Sequence, residues 1–347
     1  MRHTLLTVAA ATMLLTAGCS GSSNAFSGLT GTPGPAATRV TLRLGFVTGI
    51  SQATALIGAR KGLFAHNLSP RAGLRLVPFR TDAAEAAALE TGKLDAAYAS
   101  PDTILSVYRT SGASLLRVIA GAASGGAELI VKPGIRTPAQ LKGHPLGVPA
   151  AGGAQDIALR YWLHSQHLAA DAVTITPIAS GTTAVDDFTS GRIAGAWEPA
   201  PYDVEMTHAG GRVLVDEASL WTGGQFATTN LVVTQKFLDH HTALVLGLLK
   251  GQIQANDYLH QNLPQANLAV STELTALTGI RLPTSVVSSS LAQITFTNDP
   301  IAASLATETQ HAATVGVRQP TGNLSSLYDL SPLDLLLRAA GEPPAMP

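Results

Sequence analysis

The feature of this sequence that most restricts its fold is an alternation of strand-like and helix-like runs that begins near residue 40. Apolar residues recur with a period of two over residues 40–46 (VTLRLGF), which is typical of a strand with one buried face. A helical pattern follows over residues 55–65, and residues 74–79 form a second strand-like run. Alternation of this kind predicts an α/β fold, in which parallel sheets carry helices on both faces.

The alternation continues to about residue 233 and then gives way to an almost wholly helical pattern from Phe237 onward. A body that spans residues 39–347 is longer than one ordinary core and is typical of two lobes. Further strand-like runs cover residues 94–99, 115–120, 128–132, 146–148, 173–178, 193–197, 213–215 and 231–233.

The beginning of the chain has the pattern of a secretion signal. Residues 5–17 form an apolar run that would span roughly 20 Å as a helix, too short for a hydrocarbon core of about 30 Å. The run ends in LTAGC at residues 15–19, which resembles a bacterial lipobox, in which the cysteine is lipidated. We therefore predict a lipoprotein signal peptide over residues 1–18, lipidation of Cys19 and a flexible Ser-, Gly- and Pro-rich tether over residues 19–38. The alternative is an ordinary cleavable signal with a chance cysteine.

Cysteine and charge content exclude several classes of site. Cys19 is the only cysteine, so we expect neither a disulfide nor a thiol catalyst nor a cysteine-ligated metal in the mature protein. The net charge of −1 argues against nucleic acid as a partner. Charged residues make up 13% of the chain, so a dense cationic cluster for an anionic ligand is not expected.

Five segments occur in the order in which they are found in one family of proteins. They resemble the substrate-binding proteins of ABC importers for nitrate, sulfonate and taurine, a family that includes relatives that bind thiamine precursors. The last of the five looks most like the sulfonate branch. The segments are KGLF (61–64), GKLDAAY (92–98), LKG, LGVP and GGAQDIALR (within 141–160), GRIAGAWEP (191–199) and WTGGQFATT (221–229).

The resemblance implies the type II periplasmic-binding-protein fold, with two lobes, a ligand cleft and two crossover segments. It places the first part of lobe 1 at residues 39–132, lobe 2 at 133–230 and a mostly helical return to lobe 1 at 231–347. The crossovers are expected near residues 131–133 and 229–232, with hinge closure around a bound solute.

The function that the resemblance implies is solute binding for an ABC importer, outside the cell membrane and anchored to it. The expected solute is a small anion such as an aliphatic sulfonate. Nitrate, taurine and thiamine or pyrimidine precursors are alternatives. The expected partners are an ABC permease and its ATPase, the protein is expected to be a monomer, and no cofactor or metal is predicted.

Two predicted helix starts provide candidate contacts to such a solute. Ser100, before Pro101, brings a hydroxyl group to one helix N-terminus, and Gly152 and Gly153 precede Gln155 at another. Backbone amides and the positive helix ends there suit an anionic head group. The competing interpretations are an ordinary helix cap at Ser100 and a plain turn at the glycines. The predicted ligand-binding residues are Ser51, Gln52, Ser100, Gly152, Gly153, Gln155, Trp197, Glu198, Gln225 and Thr228.

Trp197 and Glu198 need separate comment. Trp197 is interpreted either as a ring that stacks on the ligand or as a core residue. The family often has a glutamate two residues after this tryptophan, whereas Glu198 follows it directly here, which shifts the polar group.

Two other classes of function compete with solute import. Enzymes exist with this fold, but the pyrimidine synthases among them use a cysteine-rich segment that this chain lacks, and no H-E-x-x-H, G-x-S-x-G or P-loop motif occurs. His164 and His167 would lie on one helix face and could chelate a metal, but we interpret them as exposed residues near a helix C-terminus, where partial positive charge is favourable. We therefore predict that the protein is not an enzyme. A sensor or adhesin lipoprotein that reuses the binding lobes is the other alternative.

Overall fold

Two β-sheets organise the protein in the computed structural model, which describes residues 39–169, 171–319 and 321–345. The predicted signal peptide, the lipidation site at Cys19 and the tether lie outside the described residues. The strands, in chain order, are β1 (Thr41–Val47), β2 (Gly73–Phe79), β3 (Ala96–Ala99), β4 (Leu116–Gly125), β5 (Ala127–Val131), β6 (Pro145–Val148), β7 (Thr174–Pro177), β8 (Gly195–Pro199), β9 (Arg212–Asp216), β10 (Ala227–Thr234) and β11 (Ile294–Phe296).

The first sheet has six strands in the order β11-β4-β10-β3-β1-β2, and the second has five in the order β7-β6-β8-β5-β9. β1 pairs in parallel with β2 and β3, and β6 pairs in parallel with β7 and β8. β10 runs antiparallel to β3 and β4, while β5 runs antiparallel to β8 and β9. Each sheet therefore has a parallel part, and the strands next to the crossings between the sheets pair antiparallel to their neighbours.

Helices cover the faces of both sheets, as the alternating pattern predicts. The helices are α1 (Ala53–Arg60), α2 (Leu63–Asn67), α3 (Asp82–Glu90), α4 (Pro101–Ser111), α5 (Ala154–Ser165), α6 (Gly181–Ser190), α7 (Tyr202–His208), α8 (Gln235–His240), α9 (Thr242–Gln261), α10 (Leu263–Thr278), α11 (Thr284–Ala292), α12 (Ala302–Thr314) and α13 (Ser331–Ala339). Short 3-10 helices occupy Ile50–Gln52, Gly112–Ser114, Pro138–Leu141, Glu217–Leu220, Thr222–Gly224 and Ser325–Leu327. None of the helices in the described ranges is long and apolar enough to cross a membrane.

The alternation of residues in β1 explains which face of this strand is buried in the core of the first lobe. Leu42 and Leu44 are fully buried, and Phe46 is nearly so. Gly45 points to the other face, where a Cβ atom would lie 2.5 Å from Leu94 Cδ1, so glycine leaves room there for the Leu94 side chain. The single helix predicted over residues 55–65 is two helices, because Gly62 adopts a left-handed conformation (φ 66°) between α1 and α2.

The chain crosses between the two sheets twice. The first crossing lies at Gly125 and Gly126, which have φ values of 84° and 79° and join β4 of the first sheet to β5 of the second. The second runs over residues 217–226, between β9 and β10. Both crossings come earlier in the chain than the lobe boundaries expected at residues 132 and 230. The reason is that the strand-like runs at 128–132 and 231–233 belong to β5 and β10, and each of these strands starts after a crossing. Both lobes belong to one compact unit that begins at Arg39.

Candidate functional site

A cleft with a volume of about 780 Å³ lies between the two sheets. This volume is within the range of about 300–1,000 Å³ that small-molecule sites occupy. The cleft lies beyond the carboxyl ends of β1 and β3 and borders both crossings and the N-terminal residues of α5. Ligands of open α/β sheets bind at such positions, so this cleft is the candidate site.

The cleft brings together some of the residues singled out from the sequence and leaves out others. Ser51, Gln52, Ser100, Gln155, Glu198 and Thr228 border it. Gly152, Gly153, Trp197 and Gln225 are not among its lining residues.

The first-lobe wall contains Ser51, Gln52 and Thr228. Gln52 is buried, and its Nε2 donates to Thr229 Oγ1 over 3.3 Å. Its Oε1 and the Thr228 hydroxyl group have no hydrogen-bond partner among the described residues. These two polar groups are therefore available to a bound molecule.

Ser100 caps helix α4 and is already fully engaged. Its Oγ accepts a hydrogen bond from the Thr103 N–H (3.2 Å) and donates to Asp82 Oδ1 (2.6 Å). An N-cap side chain that satisfies an otherwise unpaired amide is the ordinary role of serine at this position. The structure thus supports the helix-cap interpretation of Ser100, although the residue borders the cleft.

The start of helix α5 is also occupied by groups of the chain itself. The Gly152 N–H donates to Asp156 Oδ2 (2.7 Å), and the Ala154 N–H donates to Asp102 Oδ2 (3.1 Å). Asp102 belongs to α4, so its carboxylate reaches across from the first lobe. The Arg318 guanidinium group lies 4.0 Å from Asp102 and donates to the Gly152 carbonyl oxygen. The amides that the sequence suggests for an anionic head group therefore already hold a carboxylate.

Trp197 is a core residue, and it does not contact the cleft. Its side chain is fully buried and packs edge-on against Trp162, with ring centroids 6.5 Å apart. Its Nε1 donates to Glu217 Oε2 over 2.7 Å. Glu198, the next residue of β8, borders the cleft instead, because successive side chains of a strand point to opposite faces. Gln225 is exposed to solvent.

Acidic side chains dominate the charged lining, and the sequence analysis identified only one of them. Arg80 is the one lysine or arginine among the lining residues. Burial is the main cause that raises the pKa of Glu198, Glu217 and Glu308, each to about 8. The acids that line the cleft are Asp82, Asp102, Glu198, Glu205, Glu217 and Glu308.

A sequence signal for Glu308 does exist, although it is weak. Leu305, Glu308 and Ala312 recur on one face of α12, and all three are buried. A glutamate on the apolar stripe of a helix indicates a carboxyl group that faces the interior. Asp102, in contrast, reads as an ordinary acidic residue in the first turn of a helix.

Aromatic rings border the cleft at the second crossing. Trp221 and Phe226 stack with their centroids 5.3 Å apart, and the His311 ring of α12 lies 5.2 Å from Trp221. His311 in turn stacks on Tyr161 of α5, with a centroid distance of 3.6 Å. These contacts link the crossing, α12 and the second-lobe helix α5.

The described residues contain no group of three or more His, Cys, Asp or Glu side chains that could hold a metal ion. His164 lies near the end of α5 and His167 beyond it, and both side chains are exposed. They do not share a helix face, because α5 ends at Ser165.

Solved structures with this fold include binding proteins of bacterial import systems. The aliphatic sulphonate binding protein SsuA from Escherichia coli matches with a TM-score of 0.66 and 19% identity over 82% of this chain and 92% of its own. The nitrate-binding protein NrtA from Synechocystis PCC 6803 matches with a TM-score of 0.71 and 12% identity over 86% and 89%. A ligand-binding component of an ABC-type import system from Staphylococcus aureus, with zinc bound, gives 0.69 and 14% over 84% and 97%.

These similarities confirm the two-lobed α/β fold of periplasmic binding proteins that the sequence predicts. No curated protein sequence matches the chain. A family model does match it over residues 35–276, which is more than half of its length. The protein therefore belongs to the NMT1-like family.

Proposed function

We propose that this protein is the solute-binding component of an ABC import system. It takes up a small solute in the cleft between its two sheets and presents it to a permease and its ATPase. The observation that carries this proposal is the cleft itself, which has the volume of a small-molecule site and is bordered by both lobes. The two crossings would act as hinges about which the lobes open and close.

The beginning of the sequence supports a place outside the cell membrane. The apolar run, the LTAGC segment and the Ser- and Gly-rich residues after Cys19 together favour a lipid anchor at that cysteine. SsuA and NrtA are described as periplasmic, which agrees with this location. No catalytic role is part of the proposal, because the fold neighbours named above are described as binding proteins.

The chemistry of the cleft weighs against the sulfonate that the sequence resemblance suggests. A sulfonate would meet six lining carboxyl groups and one arginine, and the α5 amides that would receive it are bonded to Asp102 and Asp156. Near neutral pH the raised pKa values keep Glu198, Glu217 and Glu308 mostly protonated, and the lining carboxyl groups that are ionised repel an anion. The lining therefore suits a neutral or cationic solute better than an anion.

Calorimetric titration of the purified full chain tests the proposed function. The panel would contain ethanesulfonate, taurine, nitrate, thiamine, benzylammonium and benzyl alcohol. A ligand present at about 100 times its dissociation constant adds roughly 2.7 kcal/mol to the free energy of unfolding, so thermal unfolding provides a second readout. We expect one class of probe to bind with a stoichiometry of one.

A blocking substitution shows whether a bound probe occupies the cleft. Ala179 borders the cleft and is exposed, so Ala179→Trp would fill space there without disturbing the core. Ala139 is exposed and lies outside the lining, and Ala139→Trp is the matched control. The proposal predicts that only Ala179→Trp weakens binding. Undiminished binding by Ala179→Trp, or no binding of any probe to the unmodified protein, would contradict it.

A further inference from the structure

The Glu198 carboxyl group lies in the wall of the cleft without a polar partner. Only 1% of the residue is exposed, yet it borders the cleft. Among the described residues, none forms a hydrogen bond to its Oε1. A buried carboxylate without a partner is strongly unfavourable, so either a proton or a bound cation must accompany it.

The side chains around Glu198 add further carboxyl groups. Glu128 of β5 is its direct cross-strand partner, and Asp216 of β9 lies opposite Glu128 on the other side. Asp203 of α7 is fully buried, and its Oδ2 has no partner in the described part of the chain. If all of these groups were ionised, like charges would lie directly opposite each other, which destabilises a sheet. The arrangement therefore lacks a positive charge at its centre.

The basic residues on the surrounding elements are engaged elsewhere. Arg160 of α5 pairs with Asp156, and Arg192 after α6 pairs with Asp187. Lys132 lies over the Phe188 ring, and Arg212 pairs with Val131 at the far end of β5.

The remaining elements next to α7 and β8 supply no cation either. Helix α11, which packs against α7 from the first lobe, has the sequence TSVVSSSLA and carries no charge. β6 (PLGV) is likewise uncharged. His208 interacts with Glu205, and the Tyr202 phenol, the other titratable group near Glu198, is neutral below its raised pKa.

Protonation explains how the folded protein tolerates this cluster of carboxyl groups. Burial, followed by the Asp203 charge, raises the pKa of Glu198 to about 8, and burial raises that of Asp203 to about 8. Near neutral pH both carboxyl groups therefore hold protons. A cation that entered the cleft would displace a proton and supply the missing charge.

The lining indicates what kind of cation would fit. No three metal-ligating side chains converge in the described residues, which disfavours a metal ion. Ile294 borders the cleft and approaches Gly126, where a Cβ atom would lie 2.7 Å from Ile294 Cγ1. Gly126 adjoins Ala127, which pairs with Pro199 at the end of β8. Leu277 and Leu282 border the cleft as well and belong to the same apolar cluster as Ile294. A molecule with an apolar body and a charged nitrogen matches this combination of apolar side chains and a buried carboxyl group.

We propose that the solute of this protein is a small organic cation, an alkyl- or arylammonium compound. Its nitrogen is held by the Glu198 carboxylate, and its carbon body lies against Ile294, Leu277 and Leu282. The proposal rests on the solute-binding function proposed above and specifies the class of solute.

Titration with charge-matched probes tests this assignment. Benzylammonium, cyclohexylammonium, benzyl alcohol and benzenesulfonate would be titrated into the purified full chain at pH 7, in two buffers of different ionisation enthalpy. We expect the ammonium compounds to bind, the alcohol and the sulfonate to bind at least about tenfold more weakly, and a proton to be released on binding.

Glu198→Gln and a matched control locate the charged contact. Glu198→Gln is expected to weaken ammonium binding by about tenfold or more and to abolish the proton release, because a charge-assisted contact is lost. Glu85→Gln removes an equally buried, unpartnered carboxyl group that does not border the cleft, and it should change neither readout.

The outcomes separate the two proposals. Preferential binding of the sulfonate or the alcohol would overturn the cation assignment and leave solute binding intact. Ammonium binding that is unchanged in Glu198→Gln would likewise overturn it. Absence of binding by every probe would count against both.

Discussion

Trp197 and Glu198 are neighbours in β8, yet they lie on opposite faces of the second sheet. The sequence motif that contains them indicates a strand that ends near the cleft, but either residue could then have faced the ligand. In the structure Trp197 fills the core and donates to Glu217, while Glu198 borders the cleft. The side that each residue takes is set by the pairing of β8 with β5 and β6, which a single segment does not encode.

The raised pKa values of the buried carboxyl groups predict how the free energy of unfolding depends on pH. The pKa values of Glu198, Glu217 and Glu308 rise to about 8 in the folded protein, whereas the unfolded chain titrates near 4.5. Between these values the folded state holds more protons than the unfolded state, so the free energy of unfolding falls as pH rises from about 4.5 to 8. Asp203, Glu128 and Glu85, with pKa values of about 8, 7 and 9, act in the same direction.

Urea unfolding at intervals between pH 5 and 8.5 measures this effect. We expect the midpoint concentration of urea to decrease with pH and the decrease to be smaller in a Glu198→Gln, Glu217→Gln and Glu308→Gln triple variant. The pKa of His311 is lowered by burial, so this one residue acts in the opposite direction. A midpoint that rises steadily over this range would contradict the prediction.

At the scale of elements, the pair Gly125 and Gly126 joins β4 to β5 and determines where the chain first leaves the first lobe. Gly126 combines a positive φ of 79° with a close approach to Ile294. We expect Gly126→Ala to lower the free energy of unfolding by about 1–3 kcal/mol, since a side chain is strained in this conformation and would press on Ile294.

Gly134→Ala is the control for this substitution. Gly134 is exposed, has no positive φ, and a Cβ atom there would meet nothing within 4 Å. Chemical denaturation of both variants gives the comparison. Equal stability of the two variants would show that the Gly126 conformation does not constrain this crossing.

The position of helix α12 beside the cleft is not predicted by its own sequence pattern. The helical end of the sequence looks generic, and yet Glu308 and His311 of α12 border the cleft. The Asp102 bond to the start of α5 also joins residues that are distant in sequence. Both depend on how the lobes pack, because a helix pattern indicates which face is buried and leaves open what that face meets.

At the scale of the whole molecule, the predicted lipid anchor at Cys19 would hold the protein at the membrane. We expect Cys19→Ala to abolish lipidation and to move the protein from the membrane fraction to the soluble extracytoplasmic fraction, since two or more acyl chains are needed for stable attachment. Fractionation of cells, with metabolic labelling by a palmitate analogue, measures both effects. Ser20→Ala, at the adjacent residue, is the control. A Cys19→Ala variant that remains in the membrane fraction would contradict the predicted anchor.

The sequence by itself determined the class of fold. Period-two apolar runs alternating with helical runs specify an α/β architecture, because burial repeats with the geometry of each element. Five ordered segments indicated the family of binding proteins, and the family match and the solved structures agree with that conclusion. Six of the ten predicted ligand residues border the cleft. Ser51, Gln52, Ser100 and Gln155 do so because they follow strands whose carboxyl ends face it, whereas Glu198 and Thr228 lie within strands β8 and β10.

Only the tertiary structure decided the chemistry of the cleft. Asp102, Glu217 and Glu308 come from distant parts of the sequence and meet there because the two lobes pack together, and the Asp102 carboxylate fills the helix start that seemed suited to an anion. The physical reason is that local patterns record how far each residue is buried. The electrostatic character of a site depends instead on which charges the fold brings within a few ångströms of one another.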